Sequence, residues 1–145
     1  MTNILEVFLY HRTATEACEE AIVELIDYCY RKFVRMNQEY EQMPDEERNK
    51  GPALQNAKDV IKEDYIQELD RQYKDIEFNC CMTCISLIRF ITDHMEALPA
   101  SIIHALMDTA DMPLQLVPLM EFKPWIRENH KGKQEKWEDN KWQEI

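Results

Sequence analysis

An all-α protein built of helical layers is what this sequence predicts, and three observations carry the prediction. Apolar residues recur at steps of three and four through most of the chain. Glycine occurs only at Gly51 and Gly132 and β-branched residues are sparse, whereas a sheet protein of this size needs many turn residues. The span Ala53–Leu98, between Pro52 and Pro99, is the longest one free of helix breakers, and inside it Phe78–Ile88 (FNCCMTCISLI) carries no charge. That stretch is expected to be the central buried helix, with its neighbours packed on it.

The first element is a short helix with Ile4, Leu5, Phe8 and Leu9 on one face and Thr2 or Asn3 available as a cap. Thr13 followed by Glu16 has capping-box spacing, so a second helix is expected to start there and run to about Glu41. Its inner face is Cys18, Ala21, Ile22, Leu25, Ile26, Cys29, Tyr30 and Phe33, while Glu19, Glu20, Glu24, Asp27 and Arg31 face outward. Gln42–Pro52 (QMPDEERNKGP) has two prolines, a glycine and no apolar residue after Met43. Residues 43–52 therefore read as a mobile loop.

From Ala53 one phase continues through Leu54, Ala57, Ile61, Tyr65, Leu69, Tyr73, Ile76, Cys80, Cys84, Leu87, Ile91 and Met95. The spacing allows one helix over 53–98, or two with a weak break near Asn79. Its first half is narrowly amphipathic and its second half apolar on most sides, so an arm leading into a buried half is expected. Pro99 closes it. Ser101–Met107 offers a further short helix, and Asp111 can cap another with Pro113 in its first turn. Pro118 lies inside that pattern and is expected to kink or shorten the helix.

The helical part is thus residues 1–122. Residues 123–145 form a polar segment punctuated by Trp125, Trp137 and Trp142. Three tryptophans left in water would waste a large apolar surface, so they dock on the helices or meet further sequence. Gln143-Glu144-Ile145 gives no stop signal, and the segment is read as continuing beyond this piece. Helix hairpins with proline between them suggest an armadillo or HEAT-type solenoid, with an up-down bundle as the alternative.

The net charge of −11 argues against nucleic acid and against an anionic membrane as partners. No apolar run approaches the ~18–20 residues that cross a bilayer. The first residues, MTNILEVFLYHR, lack a basic leader and a cleavage site. Five cysteines, three of them crowded at Cys80, Cys81 and Cys84, make a poor disulfide framework and suit a reducing cytosol.

That cysteine cluster is the most tempting chemistry. Cys81 and Cys84 form a CxxC, but one in mid-helix with no strand before it, which is not redox context. Structural zinc takes four ligands, usually from two such pairs, and no second pair exists in the sequence. His11, His94, His104 and His130 lie far apart with no HExxH spacing, and neither a glycine-rich phosphate loop nor GxSxG is present. The cysteines are expected to be small core residues, and neither catalytic nor metal-ligating residues are assigned.

Three blocks resemble a known family: HRTATEACEEAIVELIDYCYRK, SLIRFITDHMEALPASIIHALMDTADMPLQLVPLMEFKPW and GKQEKWEDNKW. They are similar to the helical region of the zinc finger MYND domain-containing protein 10 family. The resemblance implies an armadillo-like helical fold and a non-enzymatic, cytoplasmic factor for preassembly of axonemal dynein arms. It also implies partners: a leucine-rich-repeat assembly factor, heat-shock ninety co-chaperones including an immunophilin, and dynein chains. The zinc of that family would belong to the MYND finger, which this chain lacks, so no cofactor is expected here. On that reading Phe122, Trp125 and Arg127 are the expected exposed contact residues, because a Trp-Arg pairing after a helix end is interface-like. The competing role for Trp125 is to seal the end of the helical stack. Two alternatives of other classes are a cysteine-based metal-binding domain and a coiled-coil oligomeriser through Tyr65, Leu69, Tyr73 and Ile76.

Overall fold

The computed structural model describes residues 2–52 and 65–145. Helices carry it: α1 (Thr2–Leu9), α2 (Arg12–Ala17), α3 (Glu19–Gln42) and α4 (Tyr65–Asp93). A 3-10 turn at Met95–Ala97 leads into α5 (Ala100–His104), a π-helical turn (Ala105–Thr109) and α6 (Met112–Phe122). The chain then leaves the helical register. Strands β1 (Ile126–Glu128), β2 (Gln134–Glu138) and β3 (Lys141–Glu144) form an antiparallel sheet in the order β1-β2-β3.

The expectation of helices alone is therefore corrected over residues 126–144. The physical reason lies in two turns. Asp139 and Asn140 both take positive φ (52° and 59°), which makes the two-residue turn that matches strand twist and pairs Trp137 with Trp142. In the other turn the Asn129 side-chain oxygen accepts from the Lys131 and Lys133 amides at 2.9 and 3.0 Å, and Gly132 takes φ 74°.

The stretch that looked like a spine is one. Cys81, Met82, Thr83, Cys84, Leu87, Ile88 and Ile91 of α4 are all buried. α3 runs antiparallel to α4, since Lys32 Nζ meets both Glu77 carboxylate oxygens at 2.8 Å while Arg35 Nη1 donates to the Tyr73 hydroxyl at 2.6 Å. α1 lies along α4 in the same direction, with Thr2 near Cys80 and the Tyr10 carbonyl 3.3 Å from His94 Nε2. α6 closes the other side of α3, where Asn37 Nδ2 donates to the Gln115 carbonyl at 3.0 Å. Between them Leu9, Ile22, Ile26, Phe33, Leu87, Ile91, Ile102, Leu106, Met112 and Leu119 are almost wholly excluded from water. Dense apolar burial of this kind is what holds the helices together.

Several boundaries differ from expectation. The helix expected from Thr13 to Glu41 is broken at Cys18 (φ −96°, ψ 14°), and α2 begins at Arg12, so the capping box is not used. The buried Thr15 hydroxyl instead donates to the Leu9 carbonyl at 3.0 Å, which binds α2 to the end of α1. α4 passes Asn79 unbroken and ends at Asp93, short of Pro99; the part of that expected helix over 53–64 lies outside the described residues. Asp111 takes a left-handed conformation (φ 41°) and makes no side-chain cap, and α6 continues through Pro118 to Phe122.

The loop over 43–52 is joined to the sheet and to the end of α6 by hydrogen bonds. The Glu128 amide donates to the Asn49 carbonyl and the Gly51 amide to the Glu128 carbonyl, each at 2.7 Å. The Asn49 side-chain amide donates to the Phe122 carbonyl at 2.7 Å. A Cβ at Gly51 would stand 3.0 Å from the Glu128 carbonyl oxygen, so the close approach of these two backbones requires glycine there.

Candidate functional site

The most elaborate side-chain constellation sits where the sheet meets α4. Alternation along β2 puts Glu135 and Trp137 inward, and the register sets Trp142 of β3 directly across from Trp137. The two indoles lie 5.3 Å apart, and Phe78 of α4 meets both, edge-on to Trp137 at 5.2 Å and stacked on Trp142 at 5.5 Å. Phe78 is thus the aromatic post on which the sheet is seated. Arg127 of β1 lies 4.0 Å over the Trp142 ring and donates from Nε to Glu135 at 2.8 Å.

Glu135 also accepts from Asn129 Nδ2 at 3.3 Å. The Arg127 hydrogen bond, helped by Asn129, holds its carboxyl below the ordinary value of 4.5. A carboxylate depressed in the folded state contributes stability above its unfolded value, and that contribution is lost as pH falls through the folded one. The sheet is therefore expected to loosen as pH drops below about 4.5, before the helices melt. Tryptophan emission followed together with helical circular dichroism checks this; coincident transitions would contradict it.

The expected contact residues are brought to this region but not into one patch. Phe122 stacks on Tyr40 (5.7 Å between rings, 25° between planes), and Arg48 covers Phe122 at 5.2 Å. Burial pushes the Tyr40 hydroxyl up to about 12. Arg127 pairs with Trp142 rather than with Trp125. Trp125 packs partly on the core and also faces an open hollow of about 570 Å³. That hollow lies between α4 and the β2–β3 turn. Met82, Ile85, Trp125 and Trp137 give it an apolar side, and Glu6, Arg89, Glu138 and Asp139 a charged rim.

Phe78, Trp137, Trp142 and Glu135 were not singled out as a site from sequence. Their signal is WEDNKW, two tryptophans flanking an Asp-Asn pair, which is a hairpin signature once both turn residues are allowed positive φ.

The cysteines sit elsewhere. Cys29, Cys81 and Cys84 are buried at the α3–α4 contact. A hydrogen bond with the Cys84 thiol, then burial, pushes the Cys29 thiol far up, and burial does the same at Cys81. Both are held protonated at neutral pH, as buried thiols in apolar surroundings are. Among the described residues no group of three or more His, Cys, Asp or Glu could hold a metal ion. Among them also no helix is long and apolar enough to cross a membrane.

Three apolar faces remain in water. Ile4, Val7 and Phe8 lie on α1; Tyr65, Ile66, Leu69, Tyr73 and Ile76 form a ladder on the first turns of α4; Leu114, Val117 and Met120 line α6. The ladder is in phase with the buried face of the same helix.

All 145 residues align, at 29% identity, with the zinc finger MYND domain-containing protein 10 homolog of Drosophila melanogaster. The chain spans about 30% of the length of that relative. No protein-family model matches the chain, and no solved structure does. The resemblance read from the three sequence blocks thus extends along the whole chain, which is similar throughout to a region of that Drosophila protein.

Proposed function

We propose that this chain is a non-enzymatic protein-interaction scaffold, part of a cytoplasmic, chaperone-associated factor for the preassembly of axonemal dynein arms. What supports the reading is the similarity of all 145 residues to about 30% of the length of a MYND-type protein, together with a surface that exposes three apolar faces. Armadillo-like stacking of the helices belongs to the same proposal. So do its partners: a leucine-rich-repeat assembly factor, heat-shock ninety co-chaperones including an immunophilin, and dynein chains.

Of the three contact residues, Trp125 is the one to test, because Phe122 and Arg127 spend their rings and charge on Tyr40, Arg48, Trp142 and Glu135. In ciliating cells the tagged chain is expected to recover dynein chains and heat-shock ninety co-chaperones, and Trp125→Ala to lose them with its melting temperature unchanged. Recovery of neither class by the chain or by the full-length protein would remove the proposal. A large drop in melting temperature in Trp125→Ala would instead make it a sealing residue.

A second reading, an oligomerisation module, is favoured by the α4 ladder. A two-fold centred on position 71 in an antiparallel pair would set Ile66 against Ile76, Leu69 against Tyr73 and Glu68 against Lys74 of the second copy. Light scattering at high concentration decides it: a monomer that Leu69→Glu leaves unchanged rules this reading out.

A further inference from the structure

The hollow beside the sheet has a chemistry that the scaffold reading does not use. Two indoles, Trp125 and Trp137, turn toward it from different elements, one just after α6 and one on β2. Along α4 the apolar Met82 and Ile85 alternate with the small polar Thr83 and Ser86. At its rim stand three carboxylates, Glu6, Glu138 and Asp139, against a single guanidinium, Arg89. Arg89 already has Asp93 at 3.7 Å, and Glu138 has Lys136 at 3.0 Å. Glu6 and Asp139 make no ion pair among the described residues.

Each part of this lining favours one kind of guest. Indole faces attract a cation through the ring quadrupole, by roughly 0.5–1 kcal/mol at exposed sites and more when water is excluded. An apolar wall suits the methylene stem of lysine or arginine, whose charged head then reaches the rim. Unpaired carboxylates at that rim complete the match, and the −11 net charge of the chain adds a long-range pull on basic partners and repels acidic ones. An anionic or purely apolar guest would meet the wrong rim. At about 570 Å³ and open on one side, the hollow suits side chains of a peptide laid across it rather than an enclosed small molecule.

We propose that the Trp125–Trp137 hollow receives a lysine or arginine side chain from a basic segment of a partner protein. The proposal deepens the scaffold reading and rests on it for its biological meaning, but its chemistry stands on this cleft alone. It also gives Trp125 a contact role that needs no pairing with Arg127.

The test uses the purified 145-residue chain, labelled with nitrogen-15, and an end-blocked peptide Gly-Gly-Lys-Arg-Lys-Gly-Gly beside the same peptide with glutamine at each basic position. Single Trp→Phe variants assign the three indole N–H signals. The basic peptide is expected to shift the Trp125 and Trp137 signals and to leave Trp142, which Arg127 already covers, in place. Glu6→Gln and Asp139→Asn sit at the rim, and asparagine tolerates the positive φ of position 139. Each is expected to weaken binding by about threefold without changing the melting temperature, and added salt to weaken it further. The proposal is overturned by unshifted Trp125 and Trp137 signals, by equal shifts from the glutamine peptide, or by undiminished binding in the double variant. No ciliary component is present, so failure here leaves the pull-down result standing, and failure of the pull-down leaves peptide binding measurable.

Discussion

Replacing Leu87 by alanine is expected to lower stability by about 3–5 kcal/mol. Leu87 lies in the last third of α4 with no exposed surface, in the core shared with Ile22, Ile26, Cys29 and Phe33 of α3 and Leu9 of α1. Removing its branched end forfeits the transfer free energy of the lost methyl groups and leaves a void that three helices cannot all close at once. Leu87→Met keeps the volume and should cost less than about 1.5 kcal/mol. Denaturant unfolding of the two variants, compared at unchanged slope, measures the difference. Leu87→Ala within about 1 kcal/mol of the parent would mean that this helix is not the spine of the fold.

Replacing Trp137 by alanine is expected to act on a different scale of structure. Its ring touches Phe78 and Trp142 and forms part of the hollow, so the change removes the link between the sheet and α4 as well as one wall of the proposed cleft. Truncation of a half-buried aromatic in such a cluster should cost about 2–4 kcal/mol, felt locally. Near-ultraviolet circular dichroism and the amide protection of β1, β2 and β3 should fall while far-ultraviolet helicity stays near the parent value. Trp137→Phe, which keeps a ring against Phe78, should recover most of the protection. Loss of helix in step with the sheet would show instead that the two parts form one cooperative unit.

The sequence made the helical core legible because burial there follows a single period. The uncharged run from Phe78 to Ile88 and the three- and four-residue steps of α3 leave few ways to hide those side chains. Helix ends were less legible, since Thr13 and Asp111 look like caps but the chain turns at Cys18 and takes a left-handed step at Asp111. Tertiary contacts, such as the Thr15 hydroxyl on the Leu9 carbonyl, outweigh local cap preferences.

The sheet was the largest omission. Its strands are only three to five residues long and mostly polar, so they lack the apolar alternation that marks a strand. The turn pair Asp139-Asn140 was the readable signal. The aromatic site depended on the same signal, because only the β2–β3 register brings Trp137 and Trp142 onto Phe78.

The clasp at Gly51 has a consequence for how a new molecule is made. Its hydrogen bonds join residues 49–51 to residues 122 and 128, more than 70 positions apart in the chain. Closing such a loop comes late, after the local helices have formed and α4 has folded back on α3. During synthesis residues 49–51 must wait, unpaired with their partner strand, until β1 has left the ribosome. Translation speed across α4 to α6 then sets how long that segment stays open to proteases and chaperones.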